Sequence, residues 1–150
     1  MTGRGRLYPR AVARAQGALA RLHALLYRRS GGRLGGRIAG SPVLVLLTTG
    51  RKTGAERHTP LLYLPDGDDL VIVASNGGTA SHPAWWLNLR AEPRAEVIVG
   101  ERRLAVTASE TTGDERRGLW ERLVEMYPGY ASYERKTDRE IPVVRLRSEG

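Results

Sequence analysis

The chain has 150 residues, a length at which a single folded domain with its own hydrophobic core is the default expectation. It contains no cysteine, which excludes disulfides, thiolate catalysis and cysteine-ligated zinc, and its three histidines lack the spacing of a metal site. The formal net charge of +8 favours an anionic partner, such as nucleic acid, an acidic membrane surface or a polyanionic ligand, without choosing among them.

The sequence also bears on location. No apolar run reaches the roughly 18 residues that a membrane-spanning helix requires. The basic N-terminus lacks the apolar core and the cleavage site of a secretory signal. We therefore expect a cytoplasmic protein, with residues 1–150 forming one domain.

Residues 8–29 have the apolar periodicity of an amphipathic helix, within an N-terminal segment placed at residues 1–30. The apolar positions recur at spacings of three and four: Val12, Ala15, Leu19, Leu22 and Leu26. Arginines occupy the opposite side of this helix. Either the leucines pack on the domain, which we favour, or the helix lies on the inner face of the cell membrane with its arginines at anionic headgroups. A glycine-rich link at residues 31–41 follows.

Six segments of the remaining chain are predicted as strands. They are residues 42–49, 58–64, 70–74, 94–99, 102–109 and 141–146. The first segment is a continuous apolar run, typical of a strand buried on both faces. Pro60 places the second segment at a sheet edge or bulge. Most of the links between strands have hairpin length, and Asp66-Gly67-Asp68 is a typical hairpin turn.

Two further helices are predicted. One is capped by Ser81 or His82 and carries Pro83 in its first turn. The other begins at Thr112, which has capping-box spacing with Glu115. Because strands and helices do not alternate, the order predicts the α+β class: about six mostly antiparallel strands, as a sheet or small barrel, with helices packed outside.

A basic loop follows the first predicted strand. Glycines bracket residues 50–54, and this loop and its flank supply cations and a hydroxyl: Arg51, Lys52, Thr53 and Arg57. A phosphate or carboxylate prefers charge-assisted donors of this kind, and glycines let backbone amides turn toward it. By itself, this feature favours an anion site and a solvated basic hairpin loop about equally.

A small-residue turn and an aromatic helix come next. Ser75 and Asn76 on the turn, and Trp85 and Asn88 on the helix, could supply hydrogen-bonding groups and a flat surface for a ring. Because Trp85 and Trp86 cannot face the same way on a helix, we expect one in the core and the other lining a cavity. The alternative for Ser75 and Asn76 is ordinary turn chemistry.

Three tyrosines recur at intervals of three around the helix-breaking pair Pro128-Gly129: Tyr127, Tyr130 and Tyr133. An ordinary tyrosine stays protonated at neutral pH and can donate a hydrogen bond or a proton to a developing oxyanion. The alternative is a packed aromatic cluster. Because the sequence offers no nucleophile and base pair, we expect a bound organic cofactor to supply the chemistry.

Taken together, three segments resemble the deazaflavin-dependent nitroreductase family, which comprises coenzyme F420-dependent oxidoreductases and quinone reductases. They are S-G-G-R-L-G-G-R, L-L-T-T-G-R-K-T-G-A-E-R-H-T-P-L-L-Y-L and V-A-S-N-G-G-T-A-S-H-P-A-W-W-L-N-L. The likeness continues through the tyrosines to residues 139–143, and it covers residues 25–146 in all. The resemblance implies a split β-barrel that transfers a hydride from reduced F420 to a quinone or nitro-type acceptor.

The resemblance also implies which residues bind the cofactor. Its phosphate and glutamate tail would contact Arg51, Lys52, Thr53 and Arg57. Its ring would contact Thr59, Pro60, Leu62, Ser75, Asn76, Ala84, Trp85, Asn88 and Tyr130. Tyr130 would lie near the hydride-donating carbon, and the catalytic set is completed by Tyr133 and Tyr127. The proton would come from solvent or from a tyrosine, with Tyr130 as the first choice. Some members of this family are associated with membranes, which supports a peripheral position for the N-terminal helix.

Three alternatives remain open at this stage. A split-barrel reductase that uses FMN or FAD would share the ring site but not the tail site. A protein that binds F420 without turnover would keep both sites. A basic module for anionic lipid or nucleic acid is favoured only by the net charge, so we expect no nucleic acid partner.

Overall fold

The computed structural model describes residues 37–38 and 41–149. The amphipathic helix predicted at residues 8–29 and most of the predicted link lie outside this range. Two residues of that link, Arg37–Ile38, form strand β1, which pairs with the start of the next strand at Ser41 and Pro42. Part of the predicted link is therefore β-structure.

The described chain contains eight strands, three α-helices and one short 3-10 turn. After β1, the strands are β2 (Ser41–Thr49), β3 (Glu56–Leu62), β4 (Leu64–Asp66), β5 (Asp69–Val73), β6 (Arg94–Val99), β7 (Arg102–Glu110) and β8 (Val143–Ser148). The helices are α1 (Ala84–Ala91), α2 (Gly113–Met126) and α3 (Gly129–Lys136), and the 3-10 turn is Asn76–Gly78. All six predicted strands are present, the second of them divided between β3 and β4, and β1 is a short addition.

The strands form one curled antiparallel sheet. Its order is β1-β2-β6-β7-β8-β5-β4, and β3 pairs with β2 beside this path. Every strand pairing in the described residues is antiparallel. The curled sheet forms a half-barrel with three helices, which confirms the predicted α+β class.

The second predicted strand is divided in two. β3 pairs with β2, whereas β4 pairs with β5, and the chain changes partners at Tyr63. Pro60 lies on β3 opposite Val45 of β2. In the described chain β3 pairs with β2 alone, so β3 is an edge strand. A proline, which has no amide hydrogen, is tolerated at such an edge, as predicted.

β2 is buried on both faces, as its continuous apolar sequence predicts. On one face, Leu44 and Leu46 pack in a cluster with residues of α1. On the other face, Val45 and Leu47 pack with Ile98 of β6. The strand that leads into the basic loop is therefore fixed from both sides.

α2 and α3 pack together on a second part of the sheet. Leu119, Leu123 and Tyr130 of these helices share a buried cluster with apolar residues of β4, β5 and β8. This cluster also holds Ile141, in the segment that leads from α3 to β8. It places the helix that carries two of the three tyrosines directly against the sheet.

The predicted caps of α1 and α2 differ from the observed helix starts. Pro83 is the N-cap residue of α1, so it precedes the first turn and neither Ser81 nor His82 caps the helix. Thr112 is the N-cap residue of α2, as predicted, but its side chain makes no capping bond. Glu115 instead accepts a hydrogen bond from Arg145 of β8 at 3.0 Å, so the capping box is not formed.

The pair Pro128-Gly129 ends the preceding helix, as predicted, because α2 stops at Met126, and a new helix, α3, begins at Gly129. The pair marks a sharp turn between α2 and α3. A Cβ atom at Gly129 would lie 2.5 Å from Cε2 of Tyr127, so glycine lets the chain pass close to this ring. The turn keeps the aromatic side chains of the two helices together.

Candidate functional site

The basic loop at residues 50–54 is a compact turn. The Gly50 amide donates to the Ala55 carbonyl at 2.7 Å, and the Gly54 amide donates to the Gly50 carbonyl at 2.7 Å. Gly54 has a φ of +76°, in the left-handed region that favours glycine. The side chains of this loop are exposed, including Lys52 at its tip. The backbone is therefore ordered while the cations face solvent.

Asn88 of α1 holds the loop from the core side. Its side chain is only 4% exposed. The amide oxygen Oδ1 accepts two hydrogen bonds from Arg51, at 3.1 Å from the backbone nitrogen and 3.0 Å from Nη1. Two predicted site residues thus come together across 37 positions of sequence. The observed partner of Asn88 is the loop, whereas the resemblance implied the edge of a ring.

Thr53 and Arg57 complete the predicted tail-binding set. Thr53 Oγ1 accepts a hydrogen bond from the Ala55 amide at 3.2 Å and keeps its own hydroxyl hydrogen for another acceptor. The Arg57 side chain lies beside the same turn. Its Nε atom is 3.3 Å from the position that a Cβ atom on Gly50 would occupy. Both residues are exposed. The four predicted residues therefore belong to one surface.

The three residues predicted on β3 do not share a face. Residues directly opposite each other in an antiparallel pair project to the same side of the sheet. Thr59 lies opposite Leu46, whose side chain packs in the α1 cluster. Pro60 lies opposite Val45, and Leu62 packs on the cluster of α2 and α3. Because the strand alternates, the Thr59 side chain projects from the face opposite to those of Pro60 and Leu62, and the assignment of all three to the ring stays a prediction.

The second predicted feature is the connection from β5 to α1, called here the 75–82 turn. Three consecutive residues in it have positive φ angles: Asn76 at +48°, Gly77 at +67° and Gly78 at +81°. Asn76 Nδ2 donates to the Ser81 carbonyl at 3.1 Å, which is the turn chemistry offered as the alternative. Ser75 is buried at 8% exposure, and Ala84 stands exposed at the start of α1.

Gly78 brings the 75–82 turn against α3. A Cβ atom there would lie 2.9 Å from both the Cα and the carbonyl oxygen of Tyr133. It would also lie 3.2 Å from Cβ of Lys136. The turn that carries Ser75 and the helix that carries Tyr133 are therefore in backbone contact, which brings two predicted parts of the site together.

The three tyrosines form one aromatic cluster. The ring centroids of Tyr127 and Tyr130 are 5.0 Å apart, and each of them lies 6.3 Å from the ring of Tyr133. The hydroxyls of Tyr127 and Tyr133 are 3.3 Å apart, within hydrogen-bond distance. Lys136 Nζ lies 5.8 Å from the Tyr133 ring centroid. The packed cluster offered as the alternative exists, and its hydroxyls also converge.

Burial decides the protonation of these tyrosines. Tyr130 is 5% exposed, and this burial, with smaller effects from Tyr127 and Tyr133, raises its pKa well above the ordinary value. The hydrogen bond with Tyr127 raises the pKa of Tyr133, and burial adds to the shift. Both hydroxyls are therefore protonated at neutral pH and can donate hydrogen bonds.

The two tryptophans do not divide between core and cavity as predicted. Trp85 is 6% exposed and Trp86 is 4% exposed, and both belong to the same core cluster. Their rings meet edge to face with centroids 6.5 Å apart. Because both rings are held in the core, the Trp85 side chain has little surface left for a cofactor.

Arg139, in the segment between α3 and β8, is a residue of this region that the sequence did not single out. Its guanidinium donates to three backbone carbonyls: Ala74 at 3.2 Å, Ser75 at 2.7 Å and Thr79 at 3.0 Å. Its Nη1 also lies 3.1 Å from Nδ1 of His82. The sequence signal was its place in the R-E-I-P-V segment that follows the tyrosines in the family resemblance.

The positive charge of Arg139 contributes to the protonation behaviour of His82. Burial, followed by the positive charges of Arg139 and Arg90, lowers the pKa of His82 below its ordinary value, with Glu110 acting in the opposite direction. Burial also lowers the pKa of Arg139, which still stays charged at neutral pH. A neutral His82 can accept the Arg139 hydrogen bond, and a protonated one cannot.

The geometry suits a ligand with an anionic tail and a planar ring. Exposed cations stand at one end, and buried hydroxyl donors stand at the other. Within residues 41–149, no three histidine, aspartate or glutamate side chains are grouped to hold a metal ion. No helix in the described part of the chain is long and apolar enough to cross a membrane.

A model of the family described as F420H(2)-dependent quinone reductase matches residues 19–148. An F420H(2)-dependent quinone reductase of Mycobacterium tuberculosis is 44% identical over 132 residues, which cover 85% of this chain and 89% of that relative.

Two solved structures are also similar to this chain. An F420-H2 dependent reductase is 41% identical with a TM-score of 0.66, over 71% of this chain and 94% of that one. A protein described as a domain-swapped dimer is 34% identical with a TM-score of 0.69, over 89% of this chain and 99% of that one.

Proposed function

This chain belongs to the F420H(2)-dependent quinone reductase family, and we propose that its basic loop, its 75–82 turn and α3 form the deazaflavin site. It is an oxidoreductase that depends on reduced coenzyme F420. One observation carries the assignment of the site: the buried Asn88 oxygen holds Arg51, and with it the cationic loop, beside α1.

The cationic loop binds the anionic tail. Arg51 and Arg57 present planar forks of donors to phosphate and carboxylate oxygens, and Lys52 acts as a mobile point charge. Thr53 adds a hydroxyl donor from the same turn. Because these groups are exposed and the backbone beneath them is ordered, binding orders only side chains.

The ring end uses a smaller set than the resemblance implies. Ser75, Asn76 and Ala84 stand at the junction of the 75–82 turn and α1, and Thr59 projects to the α1 side of β3. The other four predicted residues act indirectly. Trp85 and Asn88 support the site from the core, and Pro60 and Leu62 lie on the face of β3 opposite Thr59.

α3 supplies the groups that act on the acceptor. When bound, reduced F420 provides the hydride. Tyr130, held protonated by burial, donates its hydroxyl hydrogen to the acceptor oxygen where negative charge develops. Tyr127 and Tyr133 form the wall of the acceptor pocket and orient the Tyr130 ring. Water then returns the proton to Tyr130.

The acceptor is a quinone, and nitro compounds are a second class with a comparable planar, electron-poor shape. We place the protein in the cytoplasm, with residues 8–29 as a peripheral contact with the anionic inner face of the membrane, where lipid-soluble quinones reside. We also propose a single split-barrel domain for residues 1–150, which the half-barrel of the described residues supports.

A direct assay tests the proposal. The purified chain is mixed with reduced F420 and menadione, and the return of the oxidised-cofactor absorbance is followed. We expect turnover that saturates in both substrates. Parallel titrations with F420, FMN and FAD measure cofactor preference, and we expect tight binding of F420 alone.

The outcomes separate the alternatives. If the chain neither binds F420 nor oxidises reduced F420, that result would contradict the proposal. Binding without turnover would indicate a carrier, and preferential binding of FMN or FAD would indicate a flavin enzyme. A nitroaromatic compound in place of menadione tests the second acceptor class. Sedimentation with vesicles of anionic or zwitterionic lipid tests the peripheral contact of residues 8–29.

A further inference from the structure

Arg139 binds neutral acceptors, in contrast to Arg145, another partly buried arginine of the described chain. Arg145 makes ion pairs with three carboxylates: Asp66, Asp69 and Glu115. Among the described residues, no carboxylate lies within ion-pair distance of Arg139. All four of its guanidinium bonds go to the 75–82 turn and the end of β5. Its charge is therefore used to organise one connection.

That connection has a conformation that its own sequence does not enforce. Asn76, Gly77 and Gly78 have positive φ angles in succession, a conformation that glycine and asparagine tolerate but do not select over the others open to them. The bonds made inside the turn, from Gly78 to Ser75 and from Thr79 to Asn76, are short-range. Long-range bonds must supply the rest of the order.

Arg139 supplies these bonds from the side of α3. Its backbone amide lies 3.3 Å from Oγ1 of Thr137, the residue that follows α3. The same helix touches the turn at Gly78 through the backbone of Tyr133. The turn and the tyrosine helix are therefore joined at two points, one through Gly78 and the other through the guanidinium.

We propose that Arg139 is a positioning residue of the F420 site, which holds Ser75 and Asn76 at a fixed place relative to Tyr130 and Tyr133. This inference rests on the proposed function. Arg139 touches neither substrate, and it acts by fixing the 75–82 turn against α3. Cofactor affinity and turnover both depend on that geometry, because a small misplacement of the two parts weakens binding and proton donation together.

The pairing with His82 gives this role its own pH dependence. Four charged or titratable groups are involved: His82, Arg139, Arg90 and Glu110. Protonation of His82 removes an acceptor and places a second cation 3.1 Å from Arg139 Nη1. The ordinary histidine value is 6.5 and the shift is downward, so F420 affinity is constant above pH 6.5 and falls at more acidic pH.

The test compares Arg139→Gln, Arg139→Lys and the control Arg117→Gln, an exposed residue of α2. F420 titration gives the dissociation constant, the menadione assay gives kcat and KM, and thermal unfolding checks the fold. We expect Arg139→Gln to weaken F420 binding and to lower kcat by about tenfold each, because charge-assisted bonds are lost. Arg139→Lys keeps the charge without the planar guanidinium, so its F420 affinity and kcat should lie between those of Arg139→Gln and the wild type. Arg117→Gln should match the wild type.

A pH series separates positioning from a general loss of structure. Removing the Arg139 charge raises the pKa of His82 towards its ordinary value. The acid limb, which is the fall in F420 affinity at acidic pH, should therefore begin at a higher pH in Arg139→Gln than in the wild type. An NMR titration of His82 measures the same shift without cofactor. If Arg139→Gln does not fold, Arg139→Lys carries the affinity test.

Two failures are distinguishable. If the wild type does not bind F420, the proposed function fails. If the wild type binds but the folded Arg139 variants bind and turn over F420 as the wild type does, the positioning role is overturned. An unchanged acid limb in Arg139→Gln would also overturn it.

Discussion

The basic loop and the 75–82 turn are both short connections that leave buried strands, yet they are built in different ways. The loop closes on itself through Gly50 and Gly54, and one buried residue, Asn88, fixes it while its cations face solvent. The turn is held by α3 and Arg139 against the core. Changes in the loop should therefore alter ligand binding, whereas changes in the turn should alter stability and catalysis together.

The largest effect is expected where the turn meets α3. Gly78→Ala places a methyl group 2.9 Å from the Tyr133 backbone and also strains a positive φ, so we expect a loss of about 3 kcal/mol in the free energy of unfolding. Gly77→Ala is the matched control, because its φ is also positive but no atom lies within 4 Å, and we expect about 1 kcal/mol.

Urea unfolding of the two glycine variants measures the difference. Equal destabilisation would mean that the contact with α3 adds nothing beyond backbone strain, and the comparison between loop and turn would lose its main support. Menadione reduction should fall in Gly78→Ala even at temperatures where the variant is folded.

The next effect concerns the Tyr130 hydroxyl. Tyr130→Phe keeps the ring packing of a buried residue and removes only the donor, so we expect kcat to fall about 100-fold with little change in F420 affinity. Tyr127→Phe is the control from the same cluster and should lower kcat far less. An unchanged kcat in Tyr130→Phe would remove its assignment as proton donor.

A smaller effect is expected at the residue that fixes the loop. Asn88→Ala leaves two Arg51 donors without their buried acceptor, which should cost about 2 kcal/mol of stability and weaken F420 binding by roughly tenfold. Asn88→Asp keeps an oxygen at the same place and should retain the affinity. Calorimetric titration with F420 measures both variants, and an identical loss in the two would contradict the role of this oxygen.

The smallest effect on the protein itself is expected at the loop surface. Lys52→Ala combined with Arg57→Ala should weaken F420 binding about tenfold, with kcat at saturation and the unfolding temperature unchanged. Salt should reduce the difference between variant and wild type, because exposed charges are screened. Arg102 is an exposed arginine of β7, and Arg102→Ala should leave F420 affinity unchanged. If Arg102→Ala weakened F420 binding as much as the double variant does, the loss would be due to net charge alone.

The sequence predicts much of the fold because local signals agree with it. The apolar run of β2 is buried on both faces, and the glycines of the two connections lie where the backbone has positive φ or passes close to other atoms. α3 was missed because Pro128-Gly129 is a local breaking signal. The break itself is present, because α2 ends at Met126, but a new helix begins at Gly129 where Tyr127 packs beside the glycine, and such packing depends on the tertiary structure.

The site was predictable in its residue types and less so in its contacts. The cations of the loop were identified correctly as one exposed group, because they are close in sequence. The bonds from Asn88 to Arg51 and from Arg139 to Ser75 span 37 and 64 positions, so no spacing rule could reveal them. The division of Thr59 from Pro60 follows from strand alternation and could have been seen in the sequence.

The backbone contact at Gly78 limits how this enzyme can be engineered for bulkier acceptors. Moving α3 outward to enlarge the acceptor pocket would separate it from the 75–82 turn and lose the order that the contact provides. A mutant library should therefore leave residues 78 and 139 unchanged. Under the proposed function, diversity belongs at Tyr127 and Tyr133, whose side chains are only partly buried.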